Sequence, residues 1–160
     1  MEKRNNTERI IKSKERVKKF AEVFTPSWVV KRMCDMLDAE NGGHAFDIEK
    51  TFIEPCGGTG NFAVEIIGRK LKKCKTQEDA RVAVASYYTV EIQADNVEEC
   101  RDRVEKLVHE YFPDIQVRDI LERNIVQGDF LHPHGVWFLE EWADEFEKDS
   151  TRKKRRKAGK

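Results

Sequence analysis

The segment that most constrains this chain is Thr-Phe-Ile-Glu-Pro-Cys-Gly-Gly-Thr-Gly-Asn-Phe, at residues 51–62. A short apolar run leads into an acid and a proline, and glycines follow at positions 57, 58 and 60. Glycine has no Cβ, so the backbone there can take φ > 0 and approach a ligand closely. A helix that begins at Asn61 directs its N-terminal N–H groups back toward the same turn. The pattern therefore predicts a strand, a tight turn and a helix that hold a nucleotide-like ligand between them.

A dinucleotide is the first ligand to consider. Gly58, Gly60 and Ala63 fit the short glycine fingerprint of dinucleotide-binding proteins, which accepts Ala at its third position. That fold places an acid about 20 residues further on, at the end of the next strand. Here the next acid at a predicted strand end is Glu91, and two helical segments precede it, the second opened by a capping box at residues 76–79. The spacing therefore disfavours a nicotinamide cofactor.

With Glu54-Pro55 ahead of the glycines, the turn resembles the cofactor motif of S-adenosylmethionine-dependent methyltransferases, in the branch that methylates the amino group of adenine in DNA. Three further segments resemble that family in the same order. Residues 24–26, Phe-Thr-Pro, resemble the motif that closes over the methionine end of the cofactor. Residues 88–92, Tyr-Thr-Val-Glu-Ile, resemble the family's second strand, and residues 124–130, Asn-Ile-Val-Gln-Gly-Asp-Phe, resemble its third. The resemblance covers roughly residues 20 to 131.

The resemblance implies that S-adenosylmethionine is the cofactor, and it assigns no catalytic residue and no metal ligand within the chain. In the family, the acid that ends the second strand accepts from the ribose hydroxyls and the next apolar residue packs on the adenine ring. The acid after the third strand accepts from the adenine amino group. The implied cofactor-binding residues are Phe24, Thr25, Pro26, Glu54, Pro55, Cys56, Gly57, Gly58, Gly60, Asn61, Phe62, Glu91, Ile92, Asp129 and Phe130.

Elementary chemistry agrees with these roles, and simpler interpretations stay open beside them. Ribose hydroxyls and the exocyclic amine are donors, for which a carboxylate at a strand end is a natural acceptor. Alternatively, Glu91 and Asp129 are two solvated acids at strand ends. Glu54 is alternatively a partner of the helix dipole at the turn.

One part of the family pattern is missing from these 160 residues. In the family, the fourth strand ends in Asn or Asp followed by Pro-Pro and an aromatic residue, which hold the flipped adenine. The prolines here stand at positions 26, 55, 113 and 133, and no two are adjacent. We therefore expect the cofactor-binding half of an adenine-specific DNA methyltransferase, inactive alone, which is either completed by a second polypeptide or cut short. The alternative is a non-catalytic module that binds the cofactor or DNA and acts on a restriction–modification system.

The predicted fold is an α/β, Rossmann-like methyltransferase half-domain with a parallel three-stranded sheet and flanking helices. The strands are expected at residues 51–54, 87–92 and 124–128, in the order third, second, first. The expected parts of the chain are a basic N-terminal helix at 1–20, the cofactor-binding domain at 21–135, an aromatic amphipathic helix at 136–147 and a basic disordered tail at 148–160. By the family's topology the first strand has an open edge, which the aromatic helix is expected to cover as core. A binding surface for another protein is the alternative role of that helix.

Hydrophobic periodicity places the remaining helices. A basic helix is expected at residues 7–20, and further helices at 61–72, 94–111 and 117–122. Another helix is expected to be capped by Thr25, with Pro26 at its first position, and to end at residues 41–43, Asn-Gly-Gly. Its expected apolar face comprises Val29, Val30, Met33, Met36 and Leu37. The expected inward face of the 94–111 helix comprises Val97, Cys100, Val104, Leu107, Val108 and Tyr111.

Charge is distributed unevenly although the chain is neutral overall, with 30 Lys and Arg against 30 Asp and Glu. Both ends are basic and the body between them is acidic. Basic ends predict weak contacts with DNA phosphates. For the run at residues 152–157, Arg-Lys-Lys-Arg-Arg-Lys, a solvated end without a partner is the alternative.

The remaining sequence features favour the cytoplasm and no membrane partner. The chain has no apolar N-terminal run and no stretch near the roughly 18 apolar residues of a membrane span. Cysteines 34, 56, 74 and 100 lack zinc-site spacing, which favours reduced thiols. His132 and His134 have no third ligand near them in the sequence, so a metal site is not expected.

Overall fold

The computed structural model describes residues 8–132 and 134–142. Six helices and three strands have defined bounds: α1 Lys14–Phe20, α2 Ser27–Glu40, β1 Phe52–Glu54, α3 Asn61–Leu71, α4 Gln77–Ala85, β2 Tyr87–Glu91, α5 Ala94–Tyr111, α6 Arg118–Asn124 and β3 Ile125–Gln127. A further helix, α7, is described over residues 137–142. The basic tail predicted at 148–160 and the end of the predicted aromatic helix lie outside the described residues.

The three strands form one parallel sheet in the order β1-β2-β3. Phe52 pairs with Tyr87 across the first two strands, and Thr89 pairs with Ile125 across the second and third. Parallel neighbours need crossover connections, which α3 and α4 supply between β1 and β2, and α5 and α6 supply between β2 and β3. The predicted α/β class, the parallel three-stranded sheet and the strand order are confirmed.

The main core lies between the sheet and helices α2 to α6. Ile67 of α3, Tyr87 of β2 and Val104 of α5 are buried within it, together with Val30 and Cys34 of α2. Side chains alternate across a strand, so Tyr88 and Val90 face the opposite side of the sheet. That alternation gives each strand two faces that must be covered separately.

Helix α7 covers the second face, and it does so over β2 and β3. Val136 and Phe138 form a small buried cluster with Val90, and the ring of Trp137 lies edge-on to that of Tyr88 at 6.0 Å between centroids. The described residues of the predicted helix, 136–142, thus pack on β2 and β3 and not on the open edge of β1 as predicted, whereas residues 143–147 lie outside the described residues. Ile53, on the same face of β1, stays 44% exposed.

Several predicted helix boundaries also differ. The N-terminal helix predicted from residue 7 begins only at Lys14, because the Ser13 side chain accepts from the Arg16 N–H and caps it. The N-cap of α2 is Pro26 and not Thr25, and the carboxylate of Glu8 accepts from the free N–H of Ser27 at 2.9 Å.

Two apolar faces are less buried than their spacing predicts. Tyr111 is exposed, because Phe112 and Ile115 from the following turn pack into the core at that end of α5. On α2, three of the five residues of the predicted apolar face are exposed: Met33, Met36 and Leu37. Among the described residues, no helix is both long enough and apolar enough to cross a membrane.

Candidate ligand-binding cleft

A cleft of about 280 Å³ opens at the carboxyl ends of β1 and β2. Its walls are the glycine turn after β1, the residues that follow β2, and the segment of residues 20–25. In open parallel sheets, ligands bind outside the carboxyl ends of the strands, which is where this cleft lies. The predicted site residues that line it are Phe24, Thr25, Glu54, Cys56, Gly57, Gly58, Asn61, Phe62, Glu91 and Ile92.

The shape of the turn depends on glycine at two positions. Gly58 has φ of +52° and Gly60 has φ of +88°, which side chains with a Cβ rarely adopt. A Cβ on Gly60 would also lie 2.6 Å from Sγ of Cys100 on α5. The turn therefore takes a left-handed path and packs directly on α5.

Glu91, the last residue of β2, is bonded to this turn. Its carboxylate accepts from the N–H of Gly58 at 2.8 Å through Oε2 and from the N–H of Gln93 at 2.9 Å through Oε1. Its side chain is largely buried, with the residue 9% exposed. A carboxylate has about four acceptor positions, so two remain for ligand donors. The acid predicted to hold a ribose is thus fixed in orientation at the wall of the cleft.

Glu54 is the second acid in the cleft, and its environment differs. The hydroxyl of Tyr87 donates to Oε2 of Glu54, and Tyr87 is buried while Glu54 is partly buried. Burial raises the pKa of the Glu54 carboxyl to about 8, and the nearby charge of Glu91 raises it further, while the bond from Tyr87 opposes the shift. At neutral pH the Glu54 carboxyl is therefore mostly protonated.

A chain of hydrogen bonds connects the turn to its neighbours on both sides. Asn61, the first residue of α3, donates to the carbonyl of Thr25 at 2.7 Å. Arg103 of α5 donates to Oδ1 of Asn61 at 2.9 Å and to the carbonyl of Thr59 at 2.6 Å. Sequence reasoning did not identify Arg103. The available signal was a charged residue beside Cys100 and Val104, on the flank of the apolar stripe of α5.

Ion pairs hold the N-terminal segment over the cleft. Arg16 donates to Glu22 and to Asp95, both at 2.6 Å, and Lys12 donates to Asp95 at 2.9 Å. These bonds hold the pKa of Asp95 well below its usual range. The side-chain amide of Asn96 also donates to Glu22 at 2.9 Å. Arg16 and Asp95 are separated by 79 positions, so no local pattern could have predicted their contact.

The other predicted site residues lie outside the walls of the cleft. Pro26 caps α2 and Pro55 lines the outer side of β1. Gly60 lies beneath the turn against α5. Asp129 follows β3, where its carboxylate accepts from the N–H of Leu131 at 2.9 Å and lies 2.9 Å from Nδ1 of His132. The bond with His132 lowers the pKa of Asp129, and Phe130 beside it is exposed.

Comparison with protein-family models, with curated proteins and with solved structures gives no match to this chain. Among residues 8–132 and 134–142, no three His, Cys, Asp or Glu side chains are grouped in a way that could hold a metal ion. The interpretation of the cleft therefore rests on its residues and their geometry.

Proposed function

We propose that this chain binds S-adenosylmethionine in the cleft at the ends of β1 and β2, as the cofactor-binding part of a Rossmann-like, adenine-specific DNA methyltransferase. The contact between Glu91 and the N–H of Gly58 carries the proposal. The two residues are 33 positions apart in sequence. Their contact joins the strand-end acid and the glycine turn into one wall, as a nucleoside ligand requires.

The residues present fit this cofactor in chemical type. Glu91 retains acceptor capacity for ribose hydroxyls, and the half-exposed Ile92 next to it offers an apolar surface to a base. Phe24 lies against Gly58 and forms part of the opposite wall together with Thr25. When bound, the cofactor supplies an activated methyl group.

The volume of the cleft agrees with a partly enclosed site. Small-molecule sites commonly measure about 300–1,000 Å³, and the cleft, at about 280 Å³, lies just below that range. The exposed side chain of Ile92, directly after β2, lines the cleft and is available for the remainder of a nucleoside ligand.

The acceptor half of the reaction has no recognisable residues in these 160 positions. An adenine amino group is a poor nucleophile, because its lone pair is delocalised into the ring, and its protons need a positioned acceptor. No Pro-Pro-aromatic tetrapeptide is present to supply one. We propose that a second polypeptide supplies this part, and that the basic ends of the chain give weak contacts with DNA.

Isothermal titration calorimetry with S-adenosylmethionine, S-adenosylhomocysteine and NAD tests the proposal. We expect saturable binding of both S-adenosyl ligands and none of NAD. Binding of NAD without binding of either S-adenosyl ligand would overturn the family assignment. A silent titration with all three ligands would overturn the cleft as a nucleotide site.

A further inference from the structure

The outer edge of β1 has no strand beside it in the part of the chain that the structure describes, where the sheet order is β1-β2-β3. The N–H of Phe52 donates to the carbonyl of Ser86 at 2.9 Å. In a parallel ladder alternate residues face the partner strand, so the N–H and the carbonyl of Ile53 face away from β2. Free groups at a sheet edge form a template for pairing with another strand.

An apolar groove of about 600 Å³ runs beside this edge. Its lining includes Phe52 of β1, Ile66 of α3 and several residues of α2. Four large apolar residues around it are exposed: Met33 by 50%, Met36 by 57%, Leu37 by 38% and Ile53 by 44%. A short edge strand alone is ordinary, but contiguous exposed apolar side chains beside it indicate a surface that is covered by another molecule.

The charges of the groove restrict the chemistry of its occupant. Among the residues that line it, the ionisable side chains of Glu40 and Glu54 are acidic, and none is basic. The Glu54 carboxyl is partly buried and accepts from the hydroxyl of Tyr87. The groove therefore suits a neutral, apolar segment and offers no partner for an acidic one.

The residues outside the described ranges do not provide such a segment. Residues 1–7 contain Met1 as their single large apolar side chain, and residues 143–160 contain Phe146 as theirs. A strand that fills a groove from one face needs apolar side chains at alternate positions. Neither stretch has them, so the occupant is not found within these 160 residues.

We propose that the groove beside β1 binds an extended, apolar segment of a second polypeptide, which pairs with Ile53 as a fourth strand and inserts alternate side chains between α2 and α3. Such strand addition obtains affinity from main-chain hydrogen bonds and specificity from pockets for alternate side chains. The inference deepens the proposed function by locating where the second polypeptide attaches, and in that respect rests on it.

A synthetic strand tests the groove directly. The probe is a fluorescein-labelled peptide of alternating Thr and Val with Lys at each end, titrated with the 160-residue chain and followed by fluorescence anisotropy. We expect saturable binding that Met36→Gln and Ile53→Thr each weaken by about tenfold or more. Val82→Gln is the matched control, because Val82 is an equally exposed apolar residue on α4, with 39% exposure. Absence of binding at about 1 mM would overturn the proposal.

Two further peptides distinguish backbone pairing from simple apolar contact. One is N-methylated at the central Val and the other at the adjacent Thr. Successive N–H groups of a strand point to opposite edges, so one of the two peptides should lose binding by about tenfold while the other binds like the parent. Equal binding of both would overturn strand addition.

The oligomeric state and the cofactor assay complete the test. Sedimentation equilibrium that shows a dimer, dissociated by Ile53→Thr, would assign the groove to a second copy and overturn the proposal. Calorimetry with S-adenosylmethionine on the Met36→Gln variant should match that of the unaltered chain. If the unaltered chain binds S-adenosylmethionine but not the peptide, the groove proposal alone is overturned. If it binds the peptide but not S-adenosylmethionine, the cofactor site alone is overturned.

Discussion

At the scale of single residues, Glu91 links β2 to the glycine turn and faces the cleft. We predict that Glu91→Ala weakens S-adenosylmethionine binding by about tenfold to a hundredfold, since losing hydrogen bonds to a charged acceptor costs roughly 1.5–3 kcal/mol. Calorimetry at constant pH measures the effect. Glu110→Ala on the exposed side of α5 is the control, and it should bind the cofactor like the unaltered chain. An unchanged dissociation constant for Glu91→Ala would contradict the assigned role.

Glu54 gives a prediction of pH dependence. Its folded-state pKa of about 8 lies above its ordinary value of 4.5, so between these values the folded state holds a proton that the unfolded state has released. This carboxyl therefore lowers stability as pH rises from about 4.5 to 8, by at most about 1.4 kcal/mol per pH unit. Glu54→Gln should remove that slope and be the more stable protein at pH 7. Urea unfolding of both proteins at several pH values tests this, and parallel curves would refute it.

At the scale of elements, the packing of the glycine turn on α5 can be tested with a matched pair. Gly60→Ala and Gly42→Ala both place a Cβ at positive φ, but a Cβ at position 42 contacts nothing within 4 Å. Gly42→Ala should cost about 1 kcal/mol for the backbone alone. Gly60→Ala should cost a further 1–3 kcal/mol or so, because its methyl group meets Cys100.

Chemical denaturation measures both values. Adding Cys100→Ala to Gly60→Ala should recover part of the loss, because the smaller side chain makes room for the new methyl group. If the two glycine substitutions lower the free energy of unfolding equally, the turn and α5 can move apart to accommodate the new methyl group, and the predicted steric penalty at position 60 is wrong.

At the scale of the whole molecule, the basic ends should give weak, sequence-independent binding to duplex DNA. Neutralising about six phosphates predicts a slope near −5 in a plot of log affinity against log salt concentration. Deleting residues 148–160, which contain eight Lys and Arg, should flatten that slope. Fluorescence anisotropy with labelled duplexes at several salt concentrations measures it. An unchanged slope after the deletion would show that the tail makes no phosphate contacts and is only a solvated end.

The second prediction at this scale is that the purified chain transfers no methyl group to DNA, although it binds the donor. Orienting two reactants can supply roughly 7–11 kcal/mol of barrier reduction, and only the donor has recognisable contacts here. Tritium transfer from labelled S-adenosylmethionine to adenine-containing DNA tests the chain alone. Turnover above background would show that another segment replaces the missing motif, with residues 129–135 the first to test, and would remove the need for a second polypeptide.

Local patterns in the sequence were sufficient for the elements with strong short-range signals. The strand, turn and helix at residues 51–72 were predicted to within one residue, and the capping box at Thr76 forms with Asp79 as expected. These features depend on neighbours within about one turn of chain, through glycine sterics and side-chain capping bonds. The three parallel strands and their order were also predicted, the order by resemblance and the parallel pairing by alternation of strands and helices.

The tertiary structure decided which of these side chains meet. The contact of Glu91 with Gly58, the burial of Glu54 against Tyr87 and the bond from Arg103 to Asn61 join positions 33 to 42 residues apart. The exposure of Met36 to solvent and the position of α7 over β2 also depend on how whole elements pack. Periodicity shows that a face is apolar but cannot show what covers it, because that depends on the neighbours available in the folded chain. The sequence by itself thus determined the sheet and the glycine turn. Packing decided the walls of the cleft, and the described part of the chain leaves one apolar face of α2 and β1 uncovered.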